Sequence, residues 1–143
     1  MTGGRLLRPD IHTGFSIDLG WWERMGRDFR LYLHDALCPE CRKAYADHQE
    51  VQEVDWVDPD TAEVRRLDEL WVRILSCCSQ KAEYITPTTP LAAAIFRTLL
   101  ANGNRPLSPV ELHERIGKSN PQTILRILVS RTHYGIVPVG GQR

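Results

Sequence analysis

Four cysteines in two close pairs are the strongest constraint on this chain of 143 residues. Two residues separate Cys38 from Cys41, and Cys77 and Cys78 are adjacent. The first residues lack the long apolar stretch of a secretory signal, and no apolar run approaches the roughly 20 residues that a membrane span needs. We therefore expect a cytoplasmic protein with no membrane association. There, thiols stay reduced and serve metal binding or redox chemistry rather than structural disulfides.

The segment from Cys38 to Cys41, with the sequence Cys-Pro-Glu-Cys, resembles a zinc knuckle. Two thiolates two residues apart around a tight turn can bind one ion, and the loop amides can donate to the sulfurs. This pair supplies half of a tetrahedral site, and Cys77 and Cys78 are the remaining cysteines that could complete it. We predict one Zn²⁺ bound by Cys38, Cys41, Cys77 and Cys78.

The fourth ligand is open at this point, because neighbouring side chains diverge along a helix and adjacent cysteines are less usual as joint ligands. Three cysteines with a histidine form the variant, and His34 and His48 flank the first cysteine pair. A redox-active dithiol and inert buried cysteines are the alternatives to a metal site. With all four positions taken by protein, a zinc ion would be structural rather than catalytic.

Hydrophobic spacing predicts a mainly α (α+β) fold, in which a zinc-stapled helical N-terminal part carries a small β element. One helix is expected over residues 18–36, because Trp22, Met25 and Phe29 recur at three- and four-residue steps. A strand over residues 54–57 that enters an Asp-Pro turn predicts a short hairpin. A further helix is expected over about residues 67–79, whose apolar residues share one helical face.

The stretch over residues 86–90, Thr-Pro-Thr-Thr-Pro, is the best candidate for a domain boundary because its two prolines make it stiff. It divides the chain into predicted domains 1–86 and 87–143. The second domain is expected to hold three short helices and a terminal strand. The Asn-Gly pair at 102–103 ends the first helix, and Ser108 and Glu111 form a capping box at the start of the second.

Residues 88–143 resemble the winged helix-turn-helix superfamily in the order of their elements and in their helix caps. The resemblance implies a transcriptional regulator whose last helix enters the major groove of double-stranded DNA, with its N-terminal residues at the base edges. The residues able to contact bases or phosphates there are Lys118, Ser119, Asn120, Gln122, Thr123 and Arg126. From residue 87 onward, seven Lys or Arg against two acids agree in sign with DNA binding.

A protein-interaction or assembly module is the alternative function. Residues 1–86 carry 11 basic and 16 acidic residues, so an opposite-charge contact within or between chains would also explain the asymmetry. The partner would then be another protein or a second copy of this chain. An enzyme is not expected, because the sequence shows no glycine-rich phosphate loop, no nucleophile elbow and no helix with two histidines and a glutamate.

Overall fold

The computed structural model describes residues 8–46, 52–130 and 134–139. The chain forms two compact units. The cysteine unit spans Arg27–Thr86, and the discontinuous unit combines Met1–Gly26 with Pro87–Arg143. The predicted boundary after residue 86 is also a boundary between these units. The predicted first domain included the residues before Arg27, but these residues belong with the C-terminal part of the chain.

Helices dominate the described residues and short antiparallel strands accompany them, so the predicted mainly α (α+β) class is confirmed. In chain order the elements are β1 (Phe15–Ile17), α1 (Leu19–Arg24), α2 (Phe29–Asp35), α3 (Pro39–Ala44), β2 (Glu53–Val57), β3 (Val64–Asp68), α4 (Glu69–Ser76), α5 (Leu91–Ala101), α6 (Pro109–Ile116), α7 (Pro121–Ser130) and β4 (Ile136–Pro138). Two 3₁₀ turns, Cys78–Gln80 and Ala82–Tyr84, follow α4.

The single helix predicted over residues 18–36 is wrong, because two helices of different units take its place. After α1, Gly26 has a positive φ of 66°, a conformation typical of helix ends and best suited to glycine. The Asp28 carboxylate then accepts a hydrogen bond from the N–H of Leu31 and starts α2. Met25 was predicted to lie on the packed face, and it is 58% exposed instead.

The hairpin of the cysteine unit is formed by β2 and β3, as predicted, with Val54 opposite Leu67. Asp58 is buried in its turn and accepts a hydrogen bond from the N–H of Asp60 at 2.8 Å. Asp68 ends the hairpin, pairs with Arg30 of α2, and accepts from the N–H of Leu70, which starts α4. The helix predicted over residues 67–79 is therefore shorter at both ends.

In the discontinuous unit, α5, α6 and α7 are the three predicted helices, and β4 is the predicted strand. The capping box at α6 is present in full: Ser108 Oγ accepts from the N–H of Glu111, whose carboxylate accepts from the N–H of Ser108. Large apolar side chains from all three helices form the core, among them Ile95, Leu112 and Ile124, each with 0% exposure.

The strand β4 pairs with β1, which lies near the other end of the sequence. The register is antiparallel and places Ile17 opposite Ile136. Phe15 also exchanges backbone hydrogen bonds with Leu107, from N–H to O at 2.8 Å and from O to N–H at 3.0 Å. A strand from before α1 therefore completes this sheet, and the winged-helix resemblance stays a prediction.

None of the helices in the described part of the chain has both the length and the apolar character that a membrane crossing would require.

Candidate metal centre

The four cysteines of the chain converge at one place in the cysteine unit. The Sγ atoms of Cys38, Cys41, Cys77 and Cys78 all lie within 4.8 Å of one another. The Sγ atoms of Cys41 and Cys77 are 3.9 Å apart. Residues that are 36 positions apart in sequence thus meet in the fold, which is the convergence that the two-pair spacing predicts.

The first pair is presented by the N-terminus of α3. Cys38 is the N-cap residue with an extended backbone, and Pro39 occupies the first helical position, where its missing N–H costs nothing. Cys41 follows in the first turn of the helix, so both side chains lie at the same end of it. The Cys-Pro-Glu-Cys segment thus lies where α2 has ended at Asp35 and α3 begins.

The second pair lies where α4 ends. Cys77 is the C-cap residue, with φ −137° and ψ −67°, and Cys78 begins a 3₁₀ turn. Because the chain leaves α-helical geometry at Cys77, the divergence expected for adjacent helical side chains does not apply here. The two adjacent sulfurs can therefore face a common centre.

The position of His34 does not support its role in the histidine variant of the site. His34 directs its Nε2 atom to the backbone oxygen of Tyr45 at 2.9 Å, and it is not part of the sulfur cluster. His48 lies outside the described residues. Within the described ranges, the four cysteines are the group of ligand-type side chains that could hold a metal ion.

The spacing of the sulfurs fits one tetrahedral ion. Thiolates bound to Zn²⁺ at metal–sulfur distances of about 2.3 Å are about 3.8 Å apart, the edge of the coordination tetrahedron. The 3.9 Å between Cys41 and Cys77 has this value. No two sulfurs of the cluster lie more than 4.8 Å apart, which is about 1 Å more than this edge. A tetrahedral all-sulfur donor set is typical of zinc or iron.

Two cations contact the cluster through side chains that sequence reasoning missed. Lys81 Nζ lies 3.4 Å from Cys38 Sγ, and the same ammonium group donates to Glu40 Oε1 at 2.9 Å. A guanidinium nitrogen of Arg73 lies 3.6 Å from Cys41 Sγ. Four thiolates around a divalent ion leave two excess negative charges. Arg73 and Lys81 bring positive charge to them, although Lys81 is shared with the Glu40 carboxylate. The sequence could have indicated Arg73, because this residue lies one helical turn before Cys77. No comparable spacing relates Lys81 to Cys38.

These surroundings change the acidity of the thiols. Burial acts to raise the pKa of Cys38, but hydrogen bonds with the Cys41 backbone, with the Cys78 and Cys41 side chains and with Lys81 outweigh it, and the pKa falls to about 7. Burial raises the pKa of Cys78 to about 12. The cluster thus contains a sulfur that is readily ionised next to one that keeps its proton until a metal displaces it.

The helices that carry the two cysteine pairs are also joined beside the cluster. Tyr45, which follows α3, donates a hydrogen bond from its hydroxyl group to the Glu69 carboxylate of α4 at 2.6 Å. The Glu69 carboxylate raises the pKa of Tyr45, so this phenol remains a donor at neutral pH. The contact holds the N-terminus of α4 against the end of α3, independently of any metal ion.

The predicted nucleic-acid residues lie around the N-terminus of α7 in the discontinuous unit. Lys118 donates its ammonium protons to the backbone oxygens of Pro87 and Thr89. Asn120 caps α7, since its Oδ1 accepts from the N–H of Thr123 at 2.8 Å. Ser119 has a positive φ of 68° in the turn before the helix. Gln122 and Arg126 are exposed.

No protein family, curated protein or solved structure matches this chain.

Proposed function

We propose that this chain is a non-enzymatic zinc-binding protein whose four cysteines hold one structural Zn²⁺. The observation that carries the proposal is the convergence of four sulfurs within 4.8 Å, contributed by two helix ends. Four protein ligands fill a tetrahedral shell and leave no position for water or substrate, which is the arrangement of structural rather than catalytic zinc sites.

The size of the cysteine unit supports a structural role for the ion. Residues 27–86 form a compact unit with few elements, and a core of that size stabilises a fold only marginally. A metal bound by both helix ends adds its binding free energy to folding, because the unfolded chain offers no preformed site. The buried apolar residues of α4, Leu70, Trp71 and Ile74, supply part of the remaining stability.

Metal analysis of the full chain tests this proposal. Protein purified without chelator is expected to contain about one zinc per chain, as a four-ligand site requires. Cys41→Ser removes one ligand and is expected to abolish stoichiometric zinc and to lower the unfolding temperature. Ser76→Ala is the matched control, because Ser76 is exposed at the same end of α4 and its hydroxyl group donates within its own helix to the Val72 oxygen. A folded wild-type chain without metal would contradict the proposal.

DNA binding by the discontinuous unit is the second candidate function. What supports it is the exposed surface of α7, where Gln122 and Arg126 lie one helical turn apart in a helix whose sequence contains no acid. A glutamine pairs with adenine edges, and an arginine binds either guanine edges or phosphates. Lys118 is a weaker candidate for phosphate, since its ammonium group already binds two backbone oxygens.

Assembly with another protein or a second copy is the alternative for the same helix. It is supported by Val129, an aliphatic residue of α7 that is 53% exposed. A helix that reads DNA presents polar and basic groups, whereas a helix that packs on a protein presents apolar ones, and α7 carries both. Sedimentation measurements with and without duplex DNA distinguish the two, because DNA binding and self-association change the sedimenting mass differently.

A further inference from the structure

The four sulfurs of the cluster differ in their access to solvent. Cys38, Cys41 and Cys78 have 5%, 4% and 1% relative exposure, whereas Cys77 is only partly buried. Reagents that attack thiolates must reach the sulfur atom, so exposure limits which cysteine of a cluster can react. Cys77 is therefore the sulfur that a small reagent reaches first.

The cationic donors increase this difference. Lys81 contacts the sulfur of Cys38 and Arg73 contacts the sulfur of Cys41. A hydrogen bond from a cation draws electron density from a thiolate, which makes the sulfur a poorer nucleophile. In the described part of the chain, the hydrogen bonds of these two cations to sulfur go to Cys41 and Cys38, and Arg73 acts on the more accessible Cys77 through its charge.

We propose that Cys77 is a site of oxidation by hydroperoxides, and that its oxidation leads to a disulfide with Cys41 that opens the metal centre. The inference rests on the proposed function, because it concerns the same four sulfurs, and it adds a modification site and the class of reagent that acts on it. Cys41 is the partner because its Sγ lies 3.9 Å from that of Cys77.

The two steps balance with hydrogen peroxide, the simplest hydroperoxide, as the oxidant. The Cys77 thiolate attacks one peroxide oxygen, the O–O bond breaks, and hydroxide leaves with the electron pair, which gives a sulfenic acid. The Cys41 thiolate then attacks the Cys77 sulfur, the new S–S bond forms, the S–O bond breaks, and a second hydroxide leaves. Two electrons pass from the two thiolates to the peroxide.

The disulfide would remove two of the four thiolates. The remaining pair, Cys38 and Cys78, offers half of a tetrahedral donor set, which binds zinc far more weakly than four ligands. Because metal binding contributes folding free energy, loss of the ion also weakens the tie between the N-terminus of α3 and the end of α4. Oxidation would thereby lower the stability of the cysteine unit.

Peroxide treatment of the zinc-loaded full chain tests the inference. The zinc content is measured first, hydrogen peroxide is added below the thiol concentration, free thiols are blocked with N-ethylmaleimide, and peptides are mapped by mass spectrometry. We expect a disulfide between Cys41 and Cys77, with one zinc released to a coloured chelator for each disulfide formed. A disulfide between Cys38 and Cys41, or first oxidation at Cys78, would overturn the inference.

A variant that keeps four ligands provides the second measurement. Cys77→His replaces the reactive sulfur by an imidazole that also binds zinc, and it is expected to release zinc to peroxide at least about tenfold more slowly than the wild type. Release at the wild-type rate by the zinc-loaded variant would contradict the role of Cys77. If that variant fails to load zinc, the peptide map of the wild type decides.

The two proposals can fail separately in this experiment. A wild-type chain that contains no zinc before peroxide is added overturns the proposed function and this inference together. A chain that contains zinc and keeps it while its cysteines oxidise elsewhere overturns this inference alone.

Discussion

The ammonium group of Lys81 lies 3.4 Å from the sulfur of Cys38 and joins the first cysteine pair to the chain that follows the second. It brings a positive charge to a cluster that would hold two excess negative charges around a divalent ion. Charge-assisted hydrogen bonds to thiolates stabilise the ionised form that binds metal. The lysine is thus part of the electrostatic surroundings of the site although it binds no metal itself.

Replacement of this lysine by a neutral side chain of similar length is expected to weaken zinc binding. Lys81→Met removes the donor to Cys38, and loss of such a partner costs about tenfold in metal affinity or more. Competition with a zinc chelator measures the change. Lys43→Met is the control, since Lys43 is exposed on α3 and its loss changes the net charge equally. Equal losses in both variants would show that only overall charge matters.

Proton release on zinc binding is expected to depend on pH through Cys38. The pKa of this thiol is lowered from 9.0 to about 7, so below pH 7 it carries a proton that zinc must displace, and above pH 7 it is already ionised. Between about pH 6 and pH 8 the number of protons released per ion should therefore fall by about one. Calorimetry in buffers of different ionisation enthalpy counts these protons. An unchanged count would mean that Cys38 titrates near its ordinary value.

Gly135 and Gly117 of the discontinuous unit both have positive φ, so alanine substitutions at these two positions can be compared to measure how closely the unit packs around Gly135. At Gly135, with φ +69°, a Cβ atom would lie 2.7 Å from a ring carbon of Trp21, so alanine must displace the ring. At Gly117, with φ +82°, no atom of the described chain lies within 4 Å of such a Cβ atom. We expect Gly117→Ala to cost about 1 kcal/mol from backbone strain, and Gly135→Ala to cost about 1–3 kcal/mol more from overpacking. Urea unfolding measures both, and equal losses would contradict the close packing on Trp21.

If α7 binds DNA, substitutions of Arg126 and Gln122 are expected to have different effects. The first should change the salt dependence of binding, and the second should change the base preference. Arg126→Ala should lower the slope of the logarithm of affinity against the logarithm of salt concentration by about 0.9 if Arg126 neutralises one phosphate. Gln122→Ala should relax base preference and leave the slope nearly unchanged, because a contact to a base edge releases no counterion. Titrations of labelled duplexes at several salt concentrations give both quantities. Absence of binding to any duplex at low salt would favour the assembly alternative.

Local signals in the sequence predicted the parts of this molecule that depend on neighbouring residues. The Ser108 cap, the hairpin with its Asp58 turn, and the two cysteine pairs as half-sites all follow from residues a few positions apart. The helix over residues 18–36 was mispredicted because a periodic apolar pattern continues across Gly26, where the backbone ends one helix and starts another. Spacing alone does not reveal that interruption.

The contacts that the sequence left undetermined join distant residues. The pairing of β1 with β4 depends on two strands of three residues each, too short to carry a pattern that specifies a partner. Lys81 reaches Cys38 across 43 positions, and no spacing rule marks a lysine as a donor to sulfur. The contact of His34 with the Tyr45 oxygen likewise depends on the three-dimensional fold and could not be predicted from spacing.

The pairing of Ile17 with Ile136 has a consequence for the order of events on the ribosome. The partner of β1 is synthesised about 120 residues later, which at about 5–20 residues per second takes several seconds or more. During this time the Phe15 and Ile17 side chains, which end at 0% and 3% exposure, have no strand to cover them. Residues 27–86 are contiguous and emerge complete in that interval. The segment that carries Phe15 and Ile17 therefore has no β4 partner until residues 136–138 have been synthesised.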